Sequence, residues 1–141
     1  MNASLQAYNT YKKAKVETVA PGKLLLMLYD GAVKNIINAQ KEIEDKDYNK
    51  AHQSIIKTQD IIVELMSTLN MDYEISNNLF SLYEYMRNQL VEANINKDVK
   101  PLEEVKGLLS ELRGAWQEAI NATNSASASN NAQPSNLSIK G

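Results

Sequence analysis

Four stretches of this chain repeat apolar side chains at intervals of three and four, a period that fits one face of a helix and no strand. In the first, Leu25, Leu28, Ala32, Ile36, Ala39 and Ile43 fall on one side of a helical wheel. Pro21 suits its opening turn, where an amide hydrogen would have no acceptor anyway, and Asp45-Lys46-Asp47 interrupts the pattern at its end. The second stretch, 48–69, aligns Ile55, Ile62, Met66 and Leu69, and the third, 76–95, aligns Leu79, Leu82, Tyr83, Met86, Leu90 and Ala93. The fourth starts near Pro101 and carries Leu102, Val105, Leu109, Leu112, Trp116 and Ala119 in a heptad seam. Glu103 and Glu104 stand in its first turn, where carboxylates meet the positive end of the helix dipole. The breaks between stretches are short, so neighbours must pack antiparallel. The expected fold is all-α, an antiparallel four-helix bundle.

The bundle domain is expected to span 1–122. At its start Leu5, Ala7, Tyr8 and Tyr11 form an element too short to be a stable helix alone. From Thr123 to Gly141 the chain turns to Ser, Asn, Ala and Gln with hardly an apolar residue. Such a segment buries too little surface to offset its chain entropy, so 123–141 is expected to be a disordered tail.

Composition removes whole classes of function. The 141 residues contain no cysteine, which excludes thiolate catalysis and cysteine-bound zinc. With 15 basic and 17 acidic residues the formal charge is -2, and there is no long basic block to follow a phosphate backbone, so no nucleic acid is expected as a partner. The residues after Met1 are polar and carry no hydrophobic signal core, so the expectation is a cytoplasmic protein without membrane insertion.

Catalytic patterns are missing. His52 is the one histidine, and a histidine on a bundle could serve as a phosphotransfer site. The segment 51–57 lacks the lysine and small residue that such modules present one turn later, and a surface histidine is the simpler reading. A di-metal bundle needs Glu-x-x-His motifs, and position 49 is Asn. Glu42, Glu44, Asp45 and Asp47 gather at a helix end as a solvated charge run. Neither an enzyme, nor a metal, nor a cofactor is expected.

What remains is a surplus of apolar side chains. Leu24 to Tyr29 are six in a row and cover the whole circumference of a helix, although one core needs only a stripe. Leu26, Val33 and Ile37 share an arc roughly 120° from the centre of the first stripe. A core-facing helix has no ordinary reason to be apolar there, so these three are expected to form an exposed binding face. On the second helix Ile56 and Val63 lie on one shoulder of the stripe, Ile61 and Leu65 on the other, and two readings stay open: a wide seam or a binding groove. Trp116 sits in the heptad seam and Tyr83 in the core arc, whereas Tyr85 falls outside it as a candidate contact. The residues thus describe a protein-binding module; a bundle that dimerises through the back of its first helix is the structural alternative.

Three segments also resemble a known family. Pro21-Gly22-Lys23-Leu24-Leu25 with Met27-Leu28-Tyr29-Asp30-Gly31-Ala32, then Leu82-Tyr83-Glu84-Tyr85-Met86 with Glu92-Ala93-Asn94, then Glu103-Glu104-Val105 with Glu111-Leu112-Arg113-Gly114-Ala115-Trp116, are similar in order and spacing to the flagellin-specific secretion chaperones, FliS. Leu5-Gln6-Ala7-Tyr8 resembles that family's N-terminal motif, and the match extends over about residues 5–120. Met71 to Ser76 departs from it, since many members carry a glycine pair there. The resemblance implies a monomeric chaperone that binds the C-terminal segment of flagellin one-to-one, prevents early polymerisation, and delivers its cargo to the cytoplasmic domain of the flagellar type III export gate. It implies for Leu5 and Tyr8 a role in docking at that gate or in covering an empty groove. Leu26, Val33, Ile37, Ile56, Val63 and Tyr85 are then the candidate flagellin contacts.

Overall fold

The computed structural model describes residues 21–130. Within them four helices follow one another: α1 (Pro21–Glu44), α2 (Tyr48–Ser67), α3 (Glu74–Asn96) and α4 (Val99–Asn130). Each break has a local cause. Asp47 caps α2 by accepting the Lys50 amide at 3.3 Å, after Lys46 turns the chain with a left-handed backbone at φ 62°. Lys97 ends α3 in the same left-handed region at φ 50°, and the amides of Lys97 and Asp98 both reach back to the Ala93 carbonyl. The Lys97 Nζ then clamps Asn94, donating to its main-chain oxygen at 2.7 Å and its Oδ1 at 2.8 Å.

Connections this short force an up-and-down path. α1 packs on α2 and α4, and α3 packs on α2 and α4, so the four helices enclose one core as a ring. Leu25, Ala32, Ile36, Ala39, Ile55, Ile62, Leu69, Tyr83, Met86, Leu90, Ala93, Leu102, Val105 and Leu109 are buried in it, all from the expected stripes. Leu28, Ile43, Met66, Leu79, Leu82, Leu112 and Trp116 pack against it half-buried. Gly22 permits a close approach of α4, because a Cβ there would meet Ile120 Cδ1 at 2.8 Å.

Two tyrosines occupy the centre. Tyr29 and Tyr83 are fully buried and share a hydrogen bond between their hydroxyls, and Trp116 Nε1 donates to the Tyr29 hydroxyl at 3.0 Å. α1, α3 and α4 are thereby tied by polar atoms inside an apolar core. Burial raises the Tyr29 pKa above the usual phenol value, against the smaller lowering effect of its two hydrogen bonds. Tyr29 thus stabilises the fold as a neutral phenol below about pH 10, and that contribution fades as alkali ionises it. Tyr29→Phe removes the acceptor of Trp116 and a partner of Tyr83. An expected loss of about 1–3 kcal/mol follows, seen as a lower urea midpoint with an unchanged slope.

Four expectations need correction. Leu26 is only 8% exposed. With Tyr29 inside the core, the α1 stripe is wider and centred nearer to Leu26 than the sequence pattern alone suggested. Val33, placed on the same outer face, packs half-buried against the core. On α2, Leu65 is fully buried and belongs to the seam, while Ala119 of α4 is exposed. Helix α4 itself runs on past residue 122, with Thr123 to Asn130 continuing it. Once a helix is nucleated, each further Ala, Ser or Asn adds a hydrogen bond for one fixed residue, so poor burial alone does not end it. At 32 residues α4 is roughly 48 Å long, against roughly 30–36 Å for its partners of 20 to 24 residues. Residues 131–141 of the expected tail lie outside the described residues.

Candidate functional site

Polar contacts establish which flank of each helix meets which neighbour. On α1, Asp30 takes a forked pair of bonds from Arg113 at 2.5 and 3.3 Å, and Gln40 donates to Glu103 at 2.9 Å, so that flank faces α4. The opposite flank carries Glu42, which accepts from Ser54 at 2.7 Å, and Gly31 beside Ile61, so it faces α2. Leu26, Val33 and Ile37 lie on the α4 flank by helical angle. They border a seam instead of standing on a free back, which accounts for their partial burial, and only Ile37 is well exposed, at 49%.

His52 of α2 meets Asn94 of α3 at 2.9 Å and identifies the outer groove between those helices. Ile56 and Val63 lie on the same flank of α2 as His52, and both are exposed. Val91 lies roughly 60° round α3 from Asn94 and is exposed as well, whereas Ile95, roughly 100° round, is exposed on the outward face. The α2–α3 groove therefore has apolar side chains on both banks. Val91 escaped the sequence reading, because a single apolar residue away from the α3 stripe makes no pattern of its own.

Tyr85 belongs to a third place. Its hydroxyl donates to Glu104 Oε2 at 2.7 Å and Gln89 donates to Glu104 Oε1 at 2.9 Å, so it lies on the α3–α4 seam. The bond to the Glu104 carboxylate, more than desolvation or charge repulsion, raises the Tyr85 pKa. Nearby, Glu103 is held below the usual carboxylate range, first by the Gln40 amide and then by Lys106 at 3.2 Å. The candidate contacts are thus spread over three seams: Ile37 at α1–α4, Ile56 and Val63 at α2–α3, Tyr85 at α3–α4. Leu5 and Tyr8 lie outside the described residues.

The end of the bundle between α2 and α3 opens into a cleft of about 250 Å³, lined among others by Leu25, Leu69, Leu79 and Trp116. Tyr73 and Ile75 stand at it with 62% and 64% of their surface exposed. Its walls come from α1, the α2–α3 connection, α3 and α4, so no local pattern announces it. Among the described residues no group of three or more His, Asp or Glu could hold a metal ion. None of the described helices is long and apolar enough to cross a membrane. His52, the phosphotransfer candidate, is exposed and has its Nδ1 engaged by Asn94.

Comparison with known proteins accords with this surface. A sequence model of the family described as flagellar protein FliS matches residues 4–123. The flagellar secretion chaperone FliS of Bacillus subtilis is 42% identical over 113 residues, covering 80% of this chain and 85% of its own. The Vibrio cholerae protein of the same name is 32% identical over 124 residues, covering 84% and 89%. A crystal structure of a flagellar chaperone from bacteria superimposes with a TM-score of 0.69 over 84% of this chain and 98% of that one; at 20% identity it speaks for the fold. These matches lead to one assignment: the chain belongs to the FliS family of flagellar secretion chaperones, which are not enzymes.

Proposed function

We propose that this chaperone captures the C-terminal segment of a flagellin in the cytoplasm, as a monomer binding one cargo chain, and delivers it to the cytoplasmic domain of the flagellar type III export gate. The observation that carries the reading is the distribution of exposed apolar residues over three seams of one bundle. A compact partner touches one or two neighbouring seams. An extended chain that wraps the bundle reaches Ile37, the banks of the α2–α3 groove and Tyr85 in one binding event.

Ordering such a cargo costs about 2–5 kcal/mol or more, and only a long contact surface leaves useful affinity after that cost. Covering the apolar positions that would drive flagellin subunits together keeps the cargo from polymerising early. Leu5 and Tyr8 are proposed to act at the second stage, holding the loaded chaperone to the gate or shielding a groove when no cargo is bound.

Calorimetry of the full chain with a peptide of flagellin's C-terminal region tests the reading. A one-to-one complex with a dissociation constant of about 1 μM or below, near −8 kcal/mol, is expected. Size exclusion of the free chain should give a monomer. No heat and no complex at concentrations of about 100 μM, above −6 kcal/mol, would overturn flagellin capture, and a stable dimer would revive the structural alternative.

A further inference from the structure

The polar tie across the α2–α3 groove works in one protonation state only. Lys97 Nζ donates to Asn94 Oδ1 at 2.8 Å, and an ammonium has no acceptor to offer, so the Asn94 amide cannot be turned round. Lys97 is itself fixed there, by its left-handed backbone at φ 50° and by a second bond from Nζ to the Asn94 main-chain oxygen at 2.7 Å. Asn94 Nδ2 therefore donates to His52 Nδ1, 2.9 Å away. To accept, that nitrogen must be unprotonated, which makes the ring a neutral imidazole with its hydrogen on Nε2. A second proton would go to Nδ1 and set one N–H donor against another. Asn94 could answer it only by flipping, and the flip would press its Nδ2 hydrogens onto the Lys97 ammonium.

The charges on this side of the groove act in the same direction. On α3, Lys97 stands behind Asn94, and the exposed Arg87 lies two turns earlier within roughly 20° of the Asn94 direction. On α2, Tyr48 is roughly 40° from His52, Asp60 is two turns on and roughly 80° round, and Lys50 and Lys57 lie roughly 140–160° round. The carboxylates at this end of the bundle are engaged elsewhere or turned away. Glu42 of α1 accepts from Ser54, Asp45 pairs with Lys41, Asp47 pairs with Lys50, Glu92 accepts from Asn96, and Asp98 accepts from the Lys100 amide. Glu44 lies on the α4 flank of α1.

We propose that His52, Asn94 and Lys97 form a proton-sensitive latch on the α2–α3 groove, closed while His52 is neutral and opened when the ring takes up a proton. Ile56 is one turn from His52 on one bank, and Val91 is three residues before Asn94 on the other, so the latch sets the separation of the apolar banks beside it. A groove of fixed width binds an extended chain without first having to be ordered, and an unlatched one loses that advantage. The effect on cargo rests on the capture reading above; the latch itself rests on its hydrogen bonds.

His52 is the chain's one histidine, so a response between about pH 7.5 and about pH 5.5 can be assigned by substitution. The measurement is urea unfolding of the full chain at those two values, followed by circular dichroism. His52→Asn is the reference, because its Oδ1 stands where Nδ1 does and accepts from Asn94 at both values. On acidification the unfolding constant of the parent should rise at least about threefold more than that of His52→Asn, the size of a modest hydrogen bond. Asn94→Asp should reverse the sign relative to the same reference, since a carboxylate accepts from Lys97 and from an imidazolium alike. Equal responses of parent and His52→Asn, or an Asn94→Asp variant that responds like the parent, would overturn the latch. A peptide of flagellin's C-terminal region should bind the parent at least about threefold more weakly at the lower value and bind His52→Asn equally at both. Equal binding to the parent at both values would overturn the latch's hold on the groove and leave cargo capture standing. If the unfolding responses are as described and no flagellin peptide binds at either value, the latch stands and cargo capture falls.

Discussion

Leu109→Asp should abolish the cooperative thermal melt. Leu109 is fully buried in the α4 seam, with Leu102, Val105 and the α1 stripe in the same core cluster. Truncating a buried leucine costs about 2–5 kcal/mol through lost burial and the void that remains. The carboxyl adds several more whether it stays charged or takes up a proton, because the core removes it from water. A domain of this size has about 5–15 kcal/mol to lose. Circular dichroism on heating is the measurement. A variant that keeps a sharp transition within about 4–8 °C of the parent has lost only about 1 kcal/mol, and would mean that the seam lies elsewhere.

The Ile56→Lys, Val63→Lys pair should have the opposite profile. Both positions are exposed on the α2 bank of the α2–α3 groove, and lysine is a good helix former, so the melt should stay within about 0.5 kcal/mol per substitution. Flagellin binding should fall by about 100-fold, near 2.7 kcal/mol, if the cargo buries both side chains as apolar anchors. Leu26→Lys serves as the control. It is buried on the α4 flank and should lower the melt instead of separating stability from binding. Cargo affinity that survives the double substitution would remove the α2–α3 groove from the site.

These outcomes follow how far local pattern reaches. The stripes of all four helices were readable because burial on one face imposes the period of three and four wherever a helix packs. The width of a stripe is not local. Tyr29 became core through partners 54 and 87 residues away in the chain, and its inclusion carried Leu26 inward with it. The α2 shoulders divided for the same reason: Leu65 turns inward, while Ile56 and Val63 border a groove whose other bank, with Val91, comes from α3. The end cleft is the extreme case, being assembled from three helices and the α2–α3 connection. Composition does not set where α4 ends, because it measures what a segment can bury and a helix can persist on backbone bonds alone.

That last helix has two regimes of stability within one unbroken hydrogen-bond ladder. As far as Ile120, which closes against Gly22, α4 is held by the ring of helices around it. Asn121 to Asn124 are exposed, and the segment to Asn130 runs on for roughly 15 Å past that last clasp. Opening the inner part requires the core to come apart, so it shares the global free energy of unfolding. The outer turns begin with the exposed Asn121 to Asn124, and ten residues of Ala, Ser, Thr and Asn sit below the length at which an isolated helix sustains itself in water. A rod that is continuous in shape is thus divided in free energy at Ile120, and substitutions beyond that point can change its length without touching the stability of the bundle.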